Sequence, residues 1–371
     1  MRMEKTPLSA LGSRLSAEAL GCPGAHEVPG NAVAESREPR AEGRRSLLVA
    51  ACAIIAASSC TPSSGIAPLV GAPVPVASDS IPTTWARGSV RVDSFASPSL
   101  GVTKRYLVYL PPSYTRESRR RYPVAYYLHG LYGDETNWVR LGRLDRAMDS
   151  VVAAGAPEMI VVMPDGDDSW YTTWESPRTY EQCASSSPRE PAERFCVRGY
   201  RYDDYLTRDI VRHVDSTWRT LRDGRHRAIA GLSMGGLGAM SLAILNRDTY
   251  SAAASHSGVL GPLFIGPRPF AQPLHYASDM KELEAGWGAA IFRTVLPAFG
   301  SELPSWWRRD PATQAREAKA RGAPLPALYA DAGMDDNLVV NGNRAFRWEL
   351  ERAVAVHDQI VLETDVCIER R

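Results

Sequence analysis

One ten-residue stretch, Arg227-Ala228-Ile229-Ala230-Gly231-Leu232-Ser233-Met234-Gly235-Gly236, narrows the folds open to this chain more than any other feature. An apolar run ends in Gly-x-Ser-x-Gly and passes straight into a small-residue helical pattern. Read physically, this is a strand, a tight turn and a helix. At such a turn the serine takes a strained backbone conformation and its neighbours must lack bulk, which Gly231 and Gly235 supply. The hydroxyl then stands above a sheet edge, and the start of the helix offers N–H groups to a developing negative charge. A glycine-rich helix start is the plainer explanation of such a motif. The strand before it and the Met-Gly-Gly inside it favour Ser233 as a nucleophile.

At 371 residues the chain has room for one large α/β domain with extensions, or for two small domains. A composition of 44% hydrophobic and 23% charged residues supports a sizeable core. The net charge of +1 gives no ground for a nucleic-acid partner. Residues 1–43 are rich in Ala, Glu, Gly, Arg and Pro without periodicity, and read as disordered or as an over-called start. Residues 44–60 read as a signal peptide: Arg44-Arg45, an apolar run over 47–57, then small residues to Cys60. That run is too short to span a bilayer. Arg44 to Leu48 resembles a twin-arginine signal, and Ala57-Ser58-Ser59-Cys60 resembles a lipobox with alanine where leucine is usual. A lipid anchor at Cys60 stays open. The expectation is an exported bacterial protein, periplasmic, secreted or lipid-anchored, with 61–82 as a Pro/Ser/Ala tether and 83–371 as the folded domain.

Within that domain, residues 105–110 form a strand halted by Pro111-Pro112. Residues 122–128 and 159–163 are nearly continuous apolar strands, as a sheet covered on both faces requires. Helical spacing covers 141–153 and 202–220. Alternating strands and helices mean a mostly parallel sheet with helices on both faces, whose site lies beyond the carboxyl ends of the strands. Residues 259–310, poor in strand pattern, are expected to form a cap.

An acyl-transfer site needs a nucleophile, a base, a group orienting the base and an oxyanion hole. The oxyanion donors fall to the backbone N–H groups of Met234 and of Leu131, in the loop after the strand over 122–128. His129 lies in that loop and is assigned to holding the turn. Ala332-Gly333-Met334-Asp335-Asp336-Asn337 follows a buried strand downstream of the serine, where the acid belongs, although Asp and Asn also serve turns. A last helix over 344–354 should lead into a strand over 358–362, with the base in the loop after it. That loop, from Glu363 to Cys367, contains no histidine. His357 would lie at the wrong end of the strand, roughly 16 Å too far away for five residues at about 3.3 Å each. The base is therefore unidentified. Cys183 and Cys196 bracket a polar loop and suit a disulfide in an exported protein. No metal-ligand spacing occurs. Trp170, Trp174, Trp287, Trp306 and Trp307 flank the expected cleft, with packing the plainer role for any one of them.

Taken in order, His129-Gly130, Val161-Val162-Met163-Pro164-Asp165-Gly166, Gly231 to Gly236, Ser257-Gly258 and Gly333 to Asp336 resemble one esterase family of α/β-hydrolases. That family includes S-formylglutathione hydrolases (esterase D), feruloyl and acetyl-xylan esterases, enterochelin-esterase-like enzymes and mycolyltransferases. The resemblance covers roughly residues 88–357. It implies an α/β-hydrolase fold and acyl transfer from a small-molecule or carbohydrate-linked ester through Ser233. Asp336 rather than Asp335 would be the acid, Leu131 and Met234 the oxyanion hole, and no cofactor is implied.

The family closes on a Gly-His-x-Trp-like motif, and here Val366 stands about where its histidine falls. A shifted reading frame or a truncated C-terminus would give a tail of this kind. Three functions follow: an exported serine esterase, an acyltransferase on the same fold, or a pseudo-esterase that keeps the pocket without the base.

Overall fold

The computed structural model describes residues 86–186, 191–353 and 360–366. The expected signal, tether, Cys60 and His357 lie outside the described residues. Strands β1 (Ser89–Ser97) and β2 (Val102–Leu110) form an antiparallel hairpin, and β3 (Val124–Leu128) and β4 (Ile160–Pro164) follow. Then come β5 (Arg227–Leu232), β6 (Ala252–His256), the small hairpin β7 (Phe264–Gly266) and β8 (His275–Tyr276), β9 (Ala327–Gly333) and β10 (Ile360–Val366). The eight-stranded sheet runs β1-β2-β4-β3-β5-β6-β9-β10. From β4 onward each neighbouring pair is parallel, whereas β2 meets β4 antiparallel. This is the order and sense of an α/β-hydrolase sheet.

Two apolar layers cover the sheet. Helices α1 (Leu144–Ala153), α2 (Ile210–Thr217) and α3 (Met234–Leu245) come first in the chain. After them come α4 (Met280–Trp287), α5 (Ala289–Phe299), α6 (Leu303–Trp307), α7 (Pro311–Ala320) and α8 (Val340–Ala353). Tyr126, Val162 and Ile229 face Val214, Met240, Ala315 and Phe346 on one side. Ala125, Val161 and Ala230 face Leu144 and Met148 of α1 on the other. Every residue of β3, β4 and β6 is buried, which is why β3 and β4 are apolar without alternation. Helix α3 is apolar almost all round because it is buried almost all round.

Several boundaries differ from the sequence reading: the helix expected over 202–220 is a turn at Tyr202–Asp204, a π-helical turn at Tyr205–Asp209 and α2, which ends at Thr217, and β2 starts at Val102. The first strand, β1, was not foreseen. Its alternating exposure comes from an edge position, and it carries more polar residues than apolar ones. Helix α8 starts at Val340 rather than 344. The stretch expected as the closing loop, Glu363 to Val366, is the second half of β10, pairing with β9 through Val366↔Gly333 with an irregularity after Glu363. An edge strand has one ladder to satisfy, so it tolerates this polar sequence. The segment expected as a cap holds β7, β8 and α4 to α6 between β6 and β9.

Candidate active site

Ser233 joins β5 to α3 with φ 55° and ψ −112°, a strained backbone for a non-glycine residue that costs of order 1–3 kcal/mol. Its surroundings leave no alternative. A Cβ on Gly231 would lie 2.3 Å from the carbonyl carbon of Gly235, and one on Gly235 would lie 2.4 Å from the Leu128 carbonyl oxygen. Both are backbone atoms, so they cannot step aside. The Ser233 N–H donates to the His256 carbonyl at 3.0 Å, and its carbonyl accepts from the Leu237 and Val259 N–H groups at 3.2 and 3.3 Å. Ser233 itself is half-buried.

The loop after β3 runs beside this turn: a Cβ on Gly130 would sit 3.6 Å from that of Ser233. Among the described residues, neither the Leu131 N–H nor the Met234 N–H is given to a backbone carbonyl. Met234 opens α3, so its N–H has no acceptor one turn earlier. His129, 1% exposed, holds the loop from within. Its Nδ1 lies 2.9 Å from the Gly130 carbonyl, and the Gly166 N–H donates to its Nε2 at 2.9 Å. Burial works against a proton on this ring and Asp165 favours one, the net direction being upward. The Gly166 bond nevertheless requires Nε2 to be an acceptor in this arrangement. The Tyr171 hydroxyl donates to the His129 carbonyl at 3.0 Å, and Asp168 accepts the Tyr132 N–H at 2.7 Å.

Behind His129 lies a buried ionic cluster. The Lys104 ammonium, 1% exposed, donates to Asp165 at 2.7 Å and to Asp167 at 2.8 Å. One cation cannot neutralise two carboxylates, so their titrations separate. For Asp165, burial is outweighed by Lys104 and His129, which hold its carboxyl well below the usual range. For Asp167, burial and the Asp165 charge outweigh Lys104 and push it up to about 7. The Tyr202 hydroxyl donates to Asp167 at 2.6 Å.

Asp336 lies in the turn after β9, half-buried, while Asp335 is exposed. Its N–H donates to Gly333 at 3.0 Å and its carbonyl accepts from Val340 at 2.9 Å, so it shapes the start of α8. The order β5-β6-β9 puts it two strands from Ser233 at the same carboxyl edge. Gly130, the residue before Leu131, thus packs against Ser233 and its neighbour Met234, Asp336 shares their edge, and among the described residues Ser233 Oγ has no histidine partner. One buried pair escaped the sequence reading: His256 Nδ1 and Asp331 are 2.8 Å apart, at the carboxyl ends of β6 and β9. His256 Nε2 has no partner among the described residues and faces the Trp138 side of the sheet. Ser255-His256-Ser257 was the available signal, but strand pattern alone does not show what lies across a ladder.

A cleft of about 380 Å³ opens beside the loop after β3, lined by Tyr132, Asp168, Trp174, Arg178, Tyr200 and Arg293 among others. Of the flanking tryptophans only Trp174 lines it. Trp170, Trp287 and Trp306 pack on one another and on Phe299 at 4.9–6.2 Å between ring centroids, joining the loop after β4 to helices α4 to α6. Trp307 rests on Tyr276. Cys183 and Cys196 form a disulfide with Cα atoms 5.6 Å apart, beside the cleft residues Ser186 and Phe195.

A family model described as "Putative esterase" matches residues 97–364. An esterase of Mycobacterium tuberculosis is 28% identical over 273 residues, 71% of this chain and 52% of that protein. A diacylglycerol acyltransferase/mycolyltransferase of Mycobacterium leprae is 27% identical over 236 residues, 60% of this chain and 61% of that one. The chain therefore spans about half the length of the esterase it matches. Among solved structures, an S-formylglutathione hydrolase from Agrobacterium tumefaciens aligns with a TM-score of 0.51 at 22% identity, over 78% of this chain and 89% of that one. A fluorophosphonate-binding serine hydrolase of Staphylococcus aureus aligns at 0.51 and 22%, over 75% and 90%. These likenesses show the α/β-hydrolase fold.

Proposed function

Because this chain belongs to the "Putative esterase" family, we propose that it cleaves carboxylic esters through Ser233. The observation that carries this reading is the backbone of Ser233 at φ 55°, with Gly130 of the loop after β3 packed against it and, among the described residues, no backbone carbonyl taking the Leu131 or Met234 N–H. Ser233 Oγ adds to the ester carbonyl while its proton passes, by way of solvent water, to the departing alkoxide; the two N–H groups take the oxyanion, and a second water then cleaves the acyl-serine bond, releasing the acid and returning a proton to Ser233. Asp336 is the acid of the triad. The chain carries no histidine after His357, and losing a triad base can cost about 10⁶-fold in turnover. Turnover of a short p-nitrophenyl ester should accordingly be slow, and residual labelling by a fluorophosphonate probe should vanish in Ser233→Ala. Val366 ends β10 opposite Gly333, at the same sheet edge, so Val366→His is expected to raise turnover at least tenfold. Equal turnover in Ser233→Ala would overturn the reading. Fast turnover by the unmodified chain would show that another group is the base.

The mycolyltransferase likeness supports a second outcome, transfer to an alcohol acceptor, recognised by new ester forming faster than free acid. Export completes the proposal. It rests on the Arg44 to Cys60 segment, and the Cys183–Cys196 disulfide suits an oxidising compartment. Cell fractionation tests it.

A further inference from the structure

The cleft beside the loop after β3 has an uneven charge balance. Two of its acids already have partners: Asp167 is held by Lys104 and Tyr202, and Asp168 accepts the Tyr132 N–H. Its arginines do not. Among the described residues, neither Arg178 nor Arg293 makes an ion pair. Arg178 spends one N–H on Ser186 Oγ at 3.1 Å, while its Nε is buried without a partner. The Tyr200 hydroxyl, on a residue 6% exposed, faces the Arg178 side chain, which works against the upward push of burial on the phenol, and has no closer hydrogen-bond partner among the described residues. Tyr200 and Trp174 lie with ring centroids 4.5 Å apart, and the Arg178 guanidinium lies 5.9 Å from the Trp174 ring. Unspent donors beside an aromatic wall favour a ligand that brings acceptor oxygens and negative charge on a flat or ringed body.

We propose that this cleft selects esters bearing an anionic group, a carboxylate or a phosphate, held by Arg178 and Arg293 with the Tyr200 hydroxyl, the group's carrier lying on Trp174. Arg178 precedes the disulfide-clamped helix Tyr180–Ser186 and Arg293 comes from α5, so the site closes between the two sides of the cleft. The inference rests on the esterase reading for its location next to Leu131. Its recognition chemistry does not require turnover.

The test is titration of the full chain with benzoate, phenyl phosphate and neutral benzamide, followed by tryptophan fluorescence and calorimetry. An anion should bind about tenfold or more tightly than benzamide, and added salt should weaken it. Arg178→Ala and Arg293→Ala should each remove most of that preference, and Arg178→Lys should restore only part, since an ammonium lacks the planar fork. Preference for benzoate alone identifies a carboxylate, for phenyl phosphate alone a phosphate, and for both the shared anion chemistry. Equal binding of benzamide, or an anion preference that survives in the double arginine variant, overturns the proposal. Should the double variant fail to fold, salt-independent binding by the unmodified chain overturns it equally. Failure of Ser233 labelling would sink the esterase reading and leave this measurement standing.

Discussion

Asp168 accepts the backbone N–H of Tyr132 at 2.7 Å, tying the loop after β4 to the loop after β3. Tyr132 follows Leu131 and sits at φ 68°, so this bond holds the peptide plane next to the one that carries the Leu131 N–H. Asp168→Ala should slow fluorophosphonate labelling of Ser233 about tenfold, less than the loss of an oxyanion donor itself. Asp168→Asn keeps an acceptor oxygen and should keep most of the rate. Equal labelling rates in the alanine variant and the parent chain would mean that His129 alone holds the loop.

The turn at Ser233 depends on glycine for space. Gly235→Ala would drive a methyl group into the Leu128 carbonyl at 2.4 Å. It should lower stability by about 1–3 kcal/mol, the usual cost of overpacking, and remove Ser233 labelling. Urea unfolding measures the first effect. A Gly235→Ala chain as stable as its parent would show that this elbow can open without cost.

Stability should fall as pH rises from about 4 towards 7. Burial, aided by the Asp165 charge, pushes Asp167 up to about 7, and burial pushes Asp310, the cap of α7, up to about 6. Both lie above the unfolded value of about 3.9. Within that window the unfolded chain releases protons that the folded chain keeps, so rising pH favours unfolding. Asp165 has the opposite sign. Its contribution is complete above about pH 4 and is lost only below it. The urea midpoint should therefore be higher at pH 5 than at pH 8, and Asp167→Asn should narrow the gap. A gap of unchanged size would assign the slope to other groups.

The Cys183–Cys196 bridge closes a short loop at the cleft wall. Replacing both cysteines by serine should cost about 3 kcal/mol on the loop-entropy estimate. Because Ser186 and Phe195 line the cleft, it should also weaken ligand binding there. Thermal unfolding in the presence and absence of a thiol reductant gives the first number. No change on reduction would show that packing alone holds the wall.

What could be read from the chain in advance is what short-range chemistry decides. The elbow was legible because Gly231, Ser233 and Gly235 must satisfy one another within five residues. The central strands were legible because burial on both faces demands unbroken apolar runs such as Val124–Leu128. The two loops expected to carry the oxyanion donors leave neighbouring parallel strands, Leu131 after β3 and Met234 after β5. Polar edge strands were harder. β1 and the second half of β10 pair on one side only, and their sequences carry little pressure to look like strands.

Sequence by itself determined the strand–turn–helix at Ser233, the parallel core and the place of Asp336 at the sheet's carboxyl edge, because each is dictated by neighbours in the chain or by a repeating apolar period. Tertiary structure alone decided that Lys104 is buried against Asp165 and Asp167, that His256 meets Asp331, and that Arg178 and Arg293 face one cleft. Those meetings join residues far apart in the chain. Strand register and loop path set them, and no local pattern of side chains encodes which distant charge will arrive.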